Sequence, residues 1–201
     1  LPDWHGRRIY SAGKTVYIAG EGLSGLNNRR MAWEKIHKGT MGNNLHIIPK
    51  AVEAGTREWD HLVDYVEDIE PALVVVDTLS KTIGNFDENS PGEVAKYLRF
   101  CDKLRVASGG TVLILHHPNK NGGYRGGSSI KGDVDFLMSL YNDGGTDINL
   151  WVNKQKDGPE GSMGDFRLKD VAIGTRVDGR PLTSCVFATS AVSPYDYARD
   201  E

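Results

Sequence analysis

PALVVVDTLS, residues 71–80, is the stretch on which the reading of the fold turns. Residues 73–76 are four apolar side chains in a row, three of them β-branched, and the run ends on a carboxylate, Asp77. An apolar run without alternation predicts a strand buried on both faces, as in a parallel sheet covered by helices. An acid at the carboxyl end of such a strand is costly to bury unless it has a task, and in open α/β sheets the ligand site lies outside those carboxyl ends. TVLILHHPNK, residues 111–120, has the same form and ends on His116 and His117. The expectation is two buried strands that deliver polar chemistry to one rim.

The bulk numbers exclude several classes. The 201 residues suit a single α/β domain with a substantial core. A net charge of −3 argues against a protein coated in nucleic acid, while leaving room for a local basic groove. Cys101 and Cys185 sit in apolar contexts without metal-like spacing and read as reduced core residues of a cytoplasmic protein. No apolar run approaches a membrane span, and no signal peptide is evident. The opening Leu1-Pro2-Asp3-Trp4 reads as the interior of something longer.

Along the chain, residues 12–14 predict a tight turn into a strand over 15–19, which ends in Gly20-Glu21-Gly22. Helical spacing of Arg29, Arg30, Trp33 and Ile36 predicts a helix over 26–38, and a short strand follows at 45–48. Residues 56–69 predict an amphipathic helix with Thr56 as N-cap and Trp59, Leu62, Val63, Val66 and Ile69 inward. Residues 81–90 read as a polar loop. Ser90-Pro91 then opens a helix to about 107, with Val94, Leu98, Cys101 and Leu104 as its inward stripe. Residues 119–132 form a glycine-rich loop with three cations and no acid. Strands are expected at 134–141, 148–153, 166–173 and 184–189, with turns at 142–145 and Asp178-Gly179. An alternating β/α part thus gives way to a β-rich tail.

Four features carry chemistry, each with a bland reading beside it. Asp77 can hold Mg²⁺ through water, since that ion keeps several waters and takes one or two carboxylates, or it can simply cap the following turn. Glu21, flanked by glycines that permit close approach, can position a water as general base or be an exposed turn residue. His116 and His117 point to opposite faces of their strand, so one can donate to a phosphate oxygen while the other packs. The basic loop, with Lys120, Tyr124, Arg125 and Lys131, suits a phosphate backbone with Tyr124 stacking on a base, or is a flexible surface loop. Arg125 and Lys131 can also reach a neighbouring subunit's nucleotide as an arginine finger does. Gly13-Lys14-Thr15 spells the end of a phosphate-binding G-x-x-x-x-G-K-[ST] loop but fails as one. Arg8 stands where its first glycine belongs, no buried strand precedes it, and a strand rather than a helix follows.

In order, GEG, RR on a helix, LVVVDTLS, TVLILHH, RGGSS, IKGDVD and the tail KQKDGPEG with FRL resemble the RecA/DnaB-like hexameric helicase ATPases. The likeness is to the RepA-like branch of plasmids, phages and prophage primase-helicases, over roughly residues 8–190. The resemblance implies a RecA-like P-loop NTPase core: a mostly parallel twisted sheet flanked by helices, with a β-rich C-terminal part. It would occupy residues 1–190, incomplete at the N-terminus, before a tail at 191–201.

On that resemblance Glu21 is the catalytic glutamate and Asp77 the Walker B acid, with Thr78 beside it. His117 is the γ-phosphate sensor next to His116, and Arg125 and Lys131 act in trans, with Arg29 or Arg30 as a further finger. ATP and Mg²⁺ are the implied cofactors. Single-stranded DNA is the implied partner, met in the channel of a hexameric ring by the loops at 81–90 and 119–129, with Lys81, Lys120, Tyr124 and Arg125 as contacts. A primase or other replication proteins are further partners, and no membrane is involved. The family's Walker A loop does not occur in these residues and is expected upstream, so the 201 residues alone are expected to bind ATP poorly and to hydrolyse it negligibly. Two alternatives stay open: a non-catalytic RecA-like DNA-binding or assembly module, and a recombination or repair ATPase of the same fold.

Overall fold

The structure, a computed structural model, describes residues 3–117, 128–142 and 144–189, the side chains of 128 and 129 excepted. The elements begin with β1 (Asp3–Trp4), β2 (Arg7–Arg8), β3 (Thr15–Ala19), α1 (Leu23–His37), β4 (Leu45–Ile48), α2 (Arg57–Ile69) and β5 (Leu73–Asp77). They continue with α3 (Leu79–Thr82), α4 (Pro91–Ser108), β6 (Thr111–Leu115), α5 (Ser128–Asp133), β7 (Phe136–Asn142), β8 (Asp147–Gln155), β9 (Gly161–Thr175) and β10 (Pro181–Thr189). The chain divides into two compact units: residues 9–23 with 41–133, and residues 2–8 with 24–40 and 134–201.

The first unit is built on a four-stranded sheet of order β4-β3-β5-β6, parallel throughout. Val74, Val75 and Val76 of β5 are all buried, as expected of a strand covered on both faces. Val16 and Ile18 of β3 have no exposed surface, and neither do Trp59 of α2 or Tyr97 and Leu104 of α4. Trp59 locks α2 to α4: its ring meets Tyr97 edge-on, and its indole N–H donates to the Phe100 carbonyl at 3.3 Å. Thr56 caps α2 as the sequence requires, its side-chain oxygen accepting from the Trp59 N–H at 3.3 Å.

Several local expectations change. Residues 11–14 make no turn. The Lys14 carbonyl instead accepts from the Ala72 N–H at 2.9 Å, and a Cβ on Gly13 would stand 2.9 Å from the Ala72 Cβ. Gly13-Lys14 therefore lies at the amino-terminal edge of the sheet, the end away from Asp77. The polar loop at 81–90 starts later than expected, because residues 79–82 close a helical turn with Leu79, Thr82 and Ile83 buried. Tyr97, not Leu98, joins Val94, Cys101 and Leu104 in the inward stripe of α4, since its hydroxyl finds the buried Thr82 hydroxyl at 2.7 Å. Ser90 stands at the cap of α4 without a side-chain cap bond. Residues 128–133, read as the end of a glycine-rich loop, are helical. β6 is an edge strand rather than a buried one: Val112, Leu113 and Ile114 are half-buried and Leu115 is 37% exposed.

The second unit is an antiparallel sheet of order β10-β9-β8-β7, in which β8, β9 and β10 run longer than the sequence patterns predict while β7 starts two residues later. The Asp178-Gly179 turn closes β9–β10, with the Arg176 N–H donating to the Arg180 carbonyl at 2.8 Å and Gly179 at φ +80°. Ala32 of α1 packs with Val171, Ile173 and Val186, and Lys35 donates to the Ala172 carbonyl at 2.6 Å. β1 and β2, which no sequence pattern announced, pair antiparallel and bring Trp4 and His5 onto Phe166 and Phe187. Cys185 is half-buried rather than a full core residue. Among the described residues no helix is long and apolar enough to cross a membrane.

Candidate functional site

Parallel pairing in register brings three strand ends to one rim. Ala19 of β3 pairs with Asp77 of β5, and Asp77 with Leu115 of β6. The residues that follow, Gly20-Glu21, Thr78 and His116-His117, therefore leave the sheet side by side at its carboxyl edge, where open α/β sheets place ligands.

Close approach is enforced at Gly20. Its N–H donates to the Asp77 carbonyl at 2.6 Å, and a Cβ there would lie 2.8 Å from that oxygen and 2.9 Å from the Lys81 Cβ. What the small residue admits is thus the backbone of β5. The Asp77 carboxylate is half-buried and accepts from the Tyr17 hydroxyl at 2.5 Å. Tyr17 lies two residues before Ala19 on β3 and so shares a face with the residue that pairs with Asp77. The Asp77–Thr78 peptide is cis. Thr78 is buried, and its hydroxyl lies 3.1 Å from that of Ser80.

Glu21 and His117 meet across the rim. His117 Nε2 lies 2.9 Å from Glu21 Oε1, with the histidine side chain 68% and the glutamate 34% exposed. His117 is accessible to a ligand, while its imidazole fixes where the Glu21 carboxylate points. His116, next to it, is half-buried.

The rim presents carboxylate and hydroxyl oxygens from Glu21, Asp77 and Ser80, with the buried Thr78 hydroxyl next to that of Ser80, hard donors of the kind Mg²⁺ takes. No group of three or more His, Cys, Asp or Glu side chains is placed to cage a metal among the described residues. That set fits an ion that keeps its waters and is reached through them, not one stripped and enclosed.

The remaining sequence candidates lie on other elements. Lys81, taken as a nucleic-acid contact, is exposed on α3, with its Cβ near Gly20. Lys131 lies on α5. Arg29 and Arg30 lie on α1 in the second unit. Arg30 pairs with Glu34 at 3.0 Å and also donates to Asn27, while a Cβ on Gly25 would meet the Arg29 guanidinium at 3.1 Å. Lys120, Tyr124 and Arg125 lie outside the described residues. Tyr17 and Ser80 were missed by sequence reasoning. The signal for Tyr17 was the one aromatic ring in the strand TVYIA, with a hydroxyl that needs a partner when buried.

Comparison with solved structures finds the same fold at low identity. An isolated ATPase domain aligns with a TM-score of 0.56 and 14% identity over 77% of this chain and 71% of that one. The structure of a DnaB-like replicative helicase, described with its interactions with primase, aligns with a TM-score of 0.56 and 14% identity over 78% of this chain. The chain spans about half of that helicase, 48%. No curated protein matches. Residues 2–123, more than half of the sequence, match the family described as an AAA domain, AAA_25, and the chain belongs to that family.

Proposed function

We propose that this chain is the ATP-hydrolysing core of a RecA-like DNA helicase of the RepA-like branch, working between subunits of a ring hexamer and driving movement on single-stranded DNA. The observation that carries the reading is the Glu21–His117 contact of 2.9 Å at the rim where β5 delivers Asp77. A carboxylate, a second carboxylate and an imidazole at one sheet edge are the parts a phosphoanhydride hydrolase needs beyond its phosphate cradle.

When bound, ATP with Mg²⁺ supplies the γ-phosphoryl group and the cation that screens its oxygens. The chain's own residues do the rest. Glu21 Oε1 and Oε2 hold a water and take its proton as it attacks. His117 Nε2 keeps that carboxylate in place, and on leaving that contact can donate to a phosphate oxygen instead. Asp77, steadied by the Tyr17 hydroxyl on one oxygen, would be the residue that holds Mg²⁺ through its waters. Thr78 and Ser80 stand beside them. Arg125 and Lys131, with Arg29 or Arg30 as a further finger, act on a neighbour's nucleotide, and Lys81, Lys120 and Tyr124 meet DNA. Primase is a candidate partner because one of the similar structures is described with it.

The test is DNA-stimulated ATPase activity in a polypeptide that carries these residues together with a G-x-x-x-x-G-K-[ST] loop. Hydrolysis that Glu21→Gln leaves unchanged removes the reading. A second reading is a non-catalytic DNA-binding module of the same fold. Single-stranded DNA binding that ignores nucleotide in that same polypeptide would select it.

A further inference from the structure

Away from the rim, the first unit carries a second concave site on the outer face of α4. It is a cavity of about 340 Å³ lined by Phe86, Lys96, Arg99, Phe100 and Lys103. The three cations recur at three and four residues along one helix face and so span roughly 10 Å. Phe86 and Phe100 form the floor, with ring centres 5.8 Å apart and planes tilted by 37°. This floor is held from behind: Trp59 meets Phe100 edge-on, and Gly55, at φ +80°, leaves room for both rings.

Two of the three charges around the floor are not consumed by the fold. Lys96 is paired with Glu93 at 2.6 Å, but Arg99 makes no hydrogen bond or ion pair among the described residues. The Lys103 ammonium lies 5.0 Å from the centre of the Phe100 ring and has no carboxylate partner among them. Half-buried phenylalanines beside unpaired cations are what a partner with an apolar anchor and flanking negative charge complements.

We infer that the α4 pocket formed by Phe86, Phe100, Arg99 and Lys103 docks an extended acidic peptide segment of a partner protein through one aromatic anchor residue. The anchor packs against the two half-buried rings, and the flanking carboxylates meet Arg99 and Lys103. A nucleic-acid strand fits less well. Base stacking wants an open ring face, whereas these rings are tilted against each other, Phe100 is engaged by Trp59, and Lys103 sits over it.

The probe is a fluorescein-labelled Asp-Asp-Asp-Phe-Asp-Asp peptide, with its binding to the chain read by fluorescence anisotropy. Saturable binding is expected, weakened at least about tenfold in the Arg99→Glu/Lys103→Glu double variant and in the peptide with Phe replaced by Ala. Both substitutions are at exposed positions, and an unchanged thermal midpoint checks that the variant is folded. Three results overturn the inference: no binding by the wild-type chain, equal binding by the folded double variant, or equal binding of the Ala peptide. Displacement of the peptide by a dT15 oligonucleotide that itself depends on Arg99 and Lys103 also overturns it, assigning the patch to nucleic acid.

Discussion

Glu21 and His117 are 96 positions apart in sequence and 2.9 Å apart in space. If Glu21 is the base, Glu21→Gln in an ATP-competent polypeptide lowers turnover by about 10²–10⁴-fold while nucleotide affinity stays within a factor of a few, as read by steady-state hydrolysis and equilibrium binding. Cys101 gives a prediction of another kind. Burial pushes its thiol from the ordinary 9.0 up to about 12, against an opposing hydrogen bond from Tyr97, and burial pushes the Tyr97 phenol up as well. An acid held protonated in the fold stabilises it fully below the ordinary value. That stabilisation is lost as pH rises from 9.0 toward about 12, because the unfolded chain releases the proton first. Urea midpoints should therefore fall across this range, and less steeply in Cys101→Ala. At pH 8 iodoacetamide should modify Cys185 well before Cys101 in the folded chain, a contrast that peptide mass mapping reads directly.

At the scale of elements, the cap of α2 and the entry to β6 are the places where one atom decides. Thr56→Ala removes the acceptor of the Trp59 N–H and should cost about 1 kcal/mol in denaturant unfolding. Gly110 links α4 to β6, and a Cβ there would stand 2.5 Å from the Ala72 carbonyl oxygen and 2.6 Å from that of Pro71. Backbone cannot yield as a side-chain tip does, so Gly110→Ala should cost more than the cap change, roughly 2–4 kcal/mol on the same measurement. The strand at 73–77 and the helix at 57–69 were legible because their signals are local: an unbroken aliphatic run and apolar spacing after a cap. The edge position of β6 was not. TVLIL reads like a buried strand, and only the pairing order tells whether a neighbour lies on both sides. β1 and β2 gave no periodic signal because two-residue strands are too short to show one.

For the whole molecule, phosphate binding is the quantity in question. Backbone amides and the lysine of a G-x-x-x-x-G-K-[ST] loop supply most of the grip on β- and γ-phosphates, and the 201 residues hold no such loop. Titration calorimetry of these residues alone should find ATP binding weaker than about 1 mM, and tight stoichiometric binding would sink this expectation. By itself the sequence determined the strands at 15–19, 45–48 and 73–77 and the long helices α1, α2 and α4, that Asp77 and the two histidines follow apolar runs, and that Gly13-Lys14 is no phosphate loop. It did so because propensity, caps and hydrophobic runs act over a few residues. Only the tertiary structure decided that Glu21 touches His117, that Tyr17 reaches Asp77, that Gly20 is small for the sake of the β5 backbone, and that Ala32 of α1 packs with Val171 and Val186. Those contacts depend on strand order and register between distant segments, which no local pattern encodes.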